Sequence, residues 1–420
     1  MLQKKPRIIV VGAGLAGLRA IAKLARTKAE IILIDRHNYH TFIPLLYQVA
    51  TGFVAPETVT YPIAKSLRTI ANARFIRGLV TEIDLKSKIV KTETINLTYD
   101  YLVLATGSQT RFLGVTGASQ FALPMRTLTD AVKIHDRLID NFERAAVCSD
   151  RATRKQLLTI TIIGGGPTGV ELAGAISELV KVTLNKDYSA IDPQEVKVIL
   201  IHSGATLLEG YPEHLGKYTV KQLRRRGVKV HLRSRVSQVY PEAIKLEDDG
   251  TIETAIIIWT AGVEAAYPEA RGKLPTANKE KICVEPTLQL PNYPQVYAIG
   301  DLALVKQDGE PLLGIAPEAL QQGSTVARNL KRQLKGLDPV PFKYFNKGKA
   351  AIIARNSGVA YLFGKVPLKG FAAWLLWLGI HLYYLPGIAN RFVVFGSWLR
   401  DYITRERDIR QLFNYTRTQD

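Results

Sequence analysis

Arg7-Ile8-Ile9-Val10-Val11-Gly12-Ala13-Gly14-Leu15-Ala16-Gly17 is the stretch that decides the fold. A β-branched run enters a Gly-x-Gly-x-x-Gly turn, a helix-compatible stretch follows to Arg26, and a second apolar run, Ile31 to Ile34, ends at Asp35. Each residue type has a physical reason. Gly12 permits the tight turn, Gly14 lets the backbone approach a pyrophosphate, Gly17 lets the helix pack closely, and Asp35 accepts from a ribose hydroxyl. Ala13, Leu15 and Ala16 complete the loop and its first helical turn. A glycine turn alone is weak evidence. Here strand, turn, helix and an acid 18 residues after Gly17 agree, and together they predict a dinucleotide-binding β-α-β unit.

The pattern returns. Leu157 to Ile163 leads into Gly164-Gly165-Gly166-Pro167-Thr168-Gly169, a helix from Val170 and a strand from Val196 to Ile201. After each loop come a polar strand pair (75–98 and 228–253), an apolar strand and a small-residue turn (102–107 and 256–262). Loop, meander and terminal strand recurring in one order indicate duplication of a whole module. A second dinucleotide is therefore expected, on Gly164, Gly166, Gly169, His202 and Gly262.

Composition narrows the class. Across 420 residues, 56 Lys and Arg against 37 Asp and Glu leave a net charge of +19, with 47% hydrophobic residues. That apolar share excludes a wholly disordered chain, and the length suits two or three domains. Cys148 and Cys283 stand far apart, which excludes a disulfide framework, a cysteine zinc site and a dithiol redox pair. No metal site is expected. The N-terminus passes from a few polar and basic residues straight into the first loop, so a signal peptide is not expected.

Tyr293-Pro294-Gln295-Val296-Tyr297-Ala298-Ile299-Gly300-Asp301, with Ala105-Thr106-Gly107, resembles the two-dinucleotide flavoprotein oxidoreductases. The resemblance implies FAD in the first module, NADH or NADPH in the second, and Asp301 on the flavin's ribityl chain. Four further stretches resemble the type II NAD(P)H dehydrogenases, single-subunit quinone reductases that pump no protons. They are Pro44 to Gly52, Gly169 to Gly174, Ala319-Leu320-Gln321-Gln322-Gly323, and Ala373-Trp374-Leu375-Leu376-Trp377 with His381. The likeness spans essentially the whole chain. It implies an α/β fold with two Rossmann-like modules and a C-terminal amphipathic helical membrane anchor. The expected boundaries are 1–120 and 291–365 for the FAD-binding domain, 121–290 for the NAD(P)H-binding domain and 366–420 for the anchor. Gln48, Val80, Ala316 and Pro317 join the expected flavin contacts. Glu171 is implied as a carboxylate close to flavin and nicotinamide, Gln321 and Gln322 as amides near the flavin and quinone, and Lys369 as a lysine near the flavin.

Two departures bear on substrate. His202-Ser203-Gly204 stands where NADH-using members carry an acid, which removes the main penalty against the 2′-phosphate of NADPH. Ala316-Pro317-Glu318 stands where most members have Ala-Gln, which removes an amide near the quinone. Both traits resemble the cyanobacterial and plastid branch, implying NADPH and a prenylated naphthoquinone such as demethylphylloquinone.

From Gly370 to Asn390, 21 residues carry no Asp, Glu, Lys or Arg, and Trp374, Trp377 and Trp398 fall in or beside this run. Pro386-Gly387 breaks it. Two amphipathic helices, about 370–384 and 388–403, are expected in the plane of a membrane interface, with Trp at headgroup level and Arg391, Arg400, Arg405, Arg407 and Arg410 toward anionic lipid. Deleting 366–420 is then expected to release the protein without losing flavin. The reading is a peripheral membrane protein on the cytoplasmic or stromal-equivalent face, its partners a membrane quinone and an anionic lipid surface. A homodimer is compatible with it. The competing reading is a soluble reductase of a ferredoxin-type protein, which has no need of the Trp-rich tail. Nucleic acid is not an expected partner, because Arg224-Arg225-Arg226 lacks interleaved aromatics.

Overall fold

The computed structural model describes residues 5–181, 187–271, 274–277 and 281–405. Its contacts divide the chain into two compact units. One comprises 1–40, 61–109 and 263–346; the other comprises 41–60, 110–262 and 347–420.

In the first unit, strands Arg7–Val11, Glu30–Asp35, Ala73–Arg77, Tyr101–Leu104 and Tyr293–Ala298 form a parallel sheet, with Gln289–Leu290 antiparallel at one edge. Ile8, Ile9, Val10, Ile31, Ile32, Leu33 and Ile34 are fully buried, as strands covered on both faces require. The helix Leu15–Leu24 buries Ala16, Gly17, Ala20, Ile21 and Leu24 and packs against the helix Ala316–Gln333. The crossing is close. A Cβ on Gly323 would lie 2.3 Å from the Ala16 carbonyl oxygen, which explains the glycine ending the Gln321-Gln322-Gly323 run.

The second unit repeats the plan. Thr159–Ile163 lies between Lys197–Ile201 and Ile256–Trp259, with Lys229–His231 and Leu123–Pro124 outermost, all parallel. An antiparallel sheet of Lys349–Ala354, Ser357–Leu362 and Val366–Gly370 packs on the helix Pro167–Leu179. A Cβ on Gly174 would fall 1.6 Å from the Ile353 carbonyl oxygen. Gly174→Ala is therefore expected to push helix and strand apart at a cost of about 1–3 kcal/mol. Differential scanning should show a lower unfolding midpoint, by roughly 2–8 °C; an unchanged midpoint would show that the two elements separate freely.

The division falls elsewhere than the sequence suggested. Residues 41–60 belong to the second unit because the helix Leu46–Ala50 packs on Leu128–Val147 and Pro167–Leu179. Residues 347–365 do too, because their sheet covers the second-loop helix. Residues 263–290 instead join the first unit, where Lys281–Cys283 pairs with Ala303–Leu304 and Glu269–Arg271 with Val80–Asp84.

The tail forms the two expected helices, Phe371–Tyr384 and Ile388–Thr404. Among the described residues no helix is long and apolar enough to cross a membrane. Arg407 and Arg410 lie outside the described residues. The expected position of the tryptophans is corrected: Trp377 is fully buried, Trp398 is buried and Trp374 is half-buried. Trp377 and Trp398 point inward because their indole N–H groups find acceptors in the core, Glu171 and Gln48. Phe371, Leu375, Tyr383, Ile388, Phe392, Phe395, Leu399 and Ile403 are exposed instead.

Candidate active site

The first glycine loop is built by close approach. Gly12 has φ +105°, and a Cβ there would lie 2.4 Å from the Ala105 carbonyl oxygen; one on Gly17 would lie 2.0 Å from the Gly12 oxygen. Around Gly14 the space is open, with Ala105 O at 3.9 Å from a Cβ position. Gly14 is also the N-cap of its helix and has no side-chain cap, so the amides of Leu15, Ala16 and Gly17 point out of the helix end. Asp35 braces the loop. Its Oδ2 accepts from Ala13 N–H at 2.7 Å and its Oδ1 from His37 N–H at 2.8 Å. His40, which the sequence gave no reason to single out, is buried with Nδ1 2.8 Å from the Ala13 carbonyl oxygen; burial lowers its pKa and keeps the ring neutral.

Beside the loop, at the same C-terminal end of the parallel strands, Thr106 hydrogen-bonds the Ala266 carbonyl, and Gly107, with φ +74°, has open space where a side chain would stand. Ser108 Oγ donates to Asp301 Oδ2 at 2.9 Å. Gln322 is buried and its Oε1 accepts from Gly300 N–H at 2.7 Å, fixing the turn that carries Asp301. Gln321 makes a paired amide contact with the Phe345 backbone, 2.9 Å each way. Ala316 and Pro317 open the helix below, where Glu318 reaches back to the Gly314 N–H at 2.7 Å. Val80 is buried in the core of this unit. A cavity lined by Arg7, Glu30, Asn72 and Tyr99 lies at the opposite, N-terminal ends of the strands, away from both loop and turn.

The second unit reproduces the cradle position by position. Gly164 has φ +119°, and its Cβ would lie 2.6 Å from Thr260 Oγ1; a Cβ on Gly169 would lie 1.9 Å from the Gly164 oxygen; Gly166 has nothing within 4 Å and caps its helix without a side chain. Gly262, φ +78°, approaches the Arg111 carbonyl. His202 ends the strand Lys197–Ile201 at the place Asp35 holds in the first unit, with Nδ1 accepting from Gly165 N–H at 3.3 Å.

Glu171, on the helix leaving this loop, is buried beneath the tail. Its Oε1 accepts from Trp377 Nε1–H at 3.0 Å and Ile352 N–H at 3.3 Å. Desolvation outweighs those two bonds and pushes its pKa up to about 8, so it is mostly protonated at pH 7. Trp377 stacks on His381 with ring centroids 3.7 Å apart, and burial draws His381 down to about 4, a neutral ring with Nδ1 2.7 Å from the Trp377 carbonyl oxygen. Tyr211 is another neighbour the sequence did not single out; burial and Glu171 push its phenol pKa upward. Gln48 lies in this unit too, accepting from Trp398 Nε1–H at 2.8 Å. Lys369 is exposed on the strand Val366–Gly370, its ammonium 5.7 Å from the centre of the Tyr218 ring.

Comparison with known proteins places this arrangement. The profile of the pyridine nucleotide-disulphide oxidoreductases matches residues 6–323. A type II NADH:quinone oxidoreductase of Mycobacterium tuberculosis, Ndh, is 36% identical over 96% of this chain and 89% of its own. The type II NADH:quinone oxidoreductase of Staphylococcus aureus is 28% identical over 88% and 92%. The structure of NDH2 from Plasmodium falciparum in complex with NADH superposes with a TM-score of 0.87 at 19% identity, covering 95% of this chain and 99% of that one. The sulfide:quinone oxidoreductase of Aquifex aeolicus shares the fold with a TM-score of 0.74 at 18% identity, covering 96% of each.

Proposed function

The chain belongs to the pyridine nucleotide-disulphide oxidoreductase family and, within it, to the type II NADH:quinone oxidoreductases, and from that premise we propose that it oxidises NADH and reduces a quinone at the membrane. The observation that carries the reading is the 36% identity to a type II enzyme across 96% of the chain.

The residues present fit FAD in the first unit. Gly14 and Gly107 leave open the space that a Cβ would fill, the helix N-terminus is uncapped, and Asp35 supplies a carboxylate at the strand end. When bound, FAD accepts hydride and passes two electrons on. The chain's own part is to hold and orient. The loop 12–17 would take the pyrophosphate, and Asp301, set by Ser108 and Gln322, would take the ribityl side. The open Gly166 cradle would take NADH. Glu171, protonated at neutral pH, would supply a proton toward the quinone. In this reading Gln321 and Gln322 act as positioning residues, since each spends its amide on the backbone. Lys369, exposed beside the tail, would meet the lipid surface.

No cysteine or histidine lies within the first loop to tether the flavin. Acid precipitation is expected to release FAD into the supernatant, identified by mass; flavin retained in the pellet, or FMN released, would contradict the assignment. For the acceptor, Pro317 in place of an amide favours a prenylated naphthoquinone of the demethylphylloquinone type. Steady-state rates with a naphthoquinone and a benzoquinone of equal chain length test this, and a preference for the benzoquinone would remove it. For the donor, the direct argument for NADPH is the absence of an acid at position 202.

A further inference from the structure

We propose that Glu209 is the residue that makes this protein choose NADH over NADPH, acting through His202. The proposal rests on the oxidoreductase reading above and specifies its second nucleotide site.

The two units supply the comparison. In the first, the amide of the loop's second residue, Ala13, donates to Asp35 at 2.7 Å; in the second, the amide of the equivalent residue, Gly165, donates to His202 Nδ1 at 3.3 Å. His202 therefore occupies the place of the fingerprint acid and takes over its contact with the loop. The ring also packs closely against the turn, for a Cβ on Gly165 would fall 2.6 Å from His202 Cγ.

An imidazole nitrogen that accepts from an amide carries no proton, so the ring proton of neutral His202 sits on Nε2. That nitrogen lies 3.3 Å from Glu209 Oε1, within ion-pair distance though outside hydrogen-bond geometry. The chain thus keeps a carboxylate at this strand end, displaced outward by the width of one imidazole. Gly204 makes room for it, since a Cβ there would lie 2.2 Å from Glu209 Oε1 and 2.7 Å from His202 Nε2. The Glu209 side chain is 68% exposed, open to a ligand arriving from solvent.

In this fingerprint the strand-end carboxylate accepts from the ribose 2′-hydroxyl and opposes a 2′-phosphate by like charge. With Glu209 in that role, the absence of an acid at position 202 gives no licence to NADPH. The neighbouring cation acts the other way. Arg233 is exposed and its backbone N–H donates to the Gly204 carbonyl at 2.9 Å, which sets a cation beside this strand end that would favour a 2′-phosphate in the absence of the Glu209 charge.

The experiment is isothermal titration of FAD-loaded full-length protein with NAD+ and with NADP+, in wild type, Glu209→Gln and the double variant Glu209→Gln/His202→Glu. Glutamine is isosteric and the site is exposed, so the fold survives. Wild type should bind NAD+ more tightly. Glu209→Gln should move the ratio of the two Kd values at least tenfold toward NADP+, and His202→Glu in that background should return it toward NAD+. An unchanged ratio in Glu209→Gln, with both nucleotides still bound, would overturn this inference alone. A shift toward NAD+ would overturn it as well and make Glu209 the partner of an imidazolium that grips the 2′-phosphate. Wild type that binds neither nucleotide would overturn the oxidoreductase reading and this inference with it.

Discussion

Glu171→Gln is expected to slow quinone reduction by about 10²- to 10⁴-fold at pH 7, the range over which a positioned general acid acts, while FAD stays bound. The glutamine keeps an oxygen for the Trp377 and Ile352 donors and loses only the transferable proton. In wild type the carboxyl pKa of about 8 keeps that proton in place through neutral pH, so kcat should fall as pH rises past about 8. The variant should lose that limb. A rate within threefold of wild type, or an unaltered alkaline limb, would show that the proton comes from elsewhere.

The same substitution carries a stability signature. A carboxyl whose folded pKa lies above its unfolded value of 4.5 favours folding below that value, and this contribution is lost as pH rises toward about 8. Wild type should weaken across this window by about 1.4 kcal/mol per pH unit at most. His381 works the other way. With its pKa held near 4 by burial, its contribution is present above the unfolded value of 6.5 and lost as pH falls through 4. His381 is present in both proteins, so the difference between Glu171→Gln and wild type isolates the carboxyl. The variant should gain in unfolding midpoint from pH 5 to pH 8.5.

The fold was legible because its strongest signals are local. Glycines whose missing Cβ atoms make room for Ala105, Gly12, Thr260 and Gly164 stand within a few residues of their strands, and a duplicated order of elements repeats the message. The candidate site was legible only in part. Glu171 stood out by its place after the loop, yet its burial depends on Trp377, 206 positions along the chain, and no local pattern joins the two. The tryptophans misled for a related reason. A Trp in an apolar tail satisfies its indole N–H equally well at a lipid interface or against a buried acceptor, and only the folded chain reveals Glu171 and Gln48 as those acceptors. Glu209 was hidden because it reaches the strand end through space rather than from it. The boundaries moved because short helices such as Leu46–Ala50 go where their apolar faces find cover, information that lies in their neighbours.

Membrane attachment is expected to depend on the outer faces of the two tail helices and to survive no clean deletion of the tail. Removing 366–420 would strip the strand Val366–Gly370 from its sheet and take Trp377 and Trp398 from Glu171 and Gln48, so the second unit should lose its fold. Point substitution separates attachment from folding. On Ile388–Thr404, Val394, Trp398 and Asp401 face inward, while Ile388, Phe392, Phe395, Leu399 and Ile403 recur at spacings of three and four on the outer face. Ile388, Phe392 and Ile403 are each 70–72% exposed. A fully buried side chain of this size gains about 1.5–3 kcal/mol on leaving water. Three of them together amount to roughly 4–6 kcal/mol after allowing for partial exposure, or about 10³- to 10⁴-fold in partition. We propose that this face lies on the bilayer and that basic residues near the tail, Arg405 among them, meet anionic headgroups. The triple variant Ile388→Glu, Phe392→Glu, Ile403→Glu should leave sedimented anionic vesicles for the supernatant. It should retain reduction of a short-chain, water-soluble quinone and lose reduction of a long-tailed quinone held in the vesicles. If the variant still sediments with the vesicles, the apolar face is not what holds the protein to lipid.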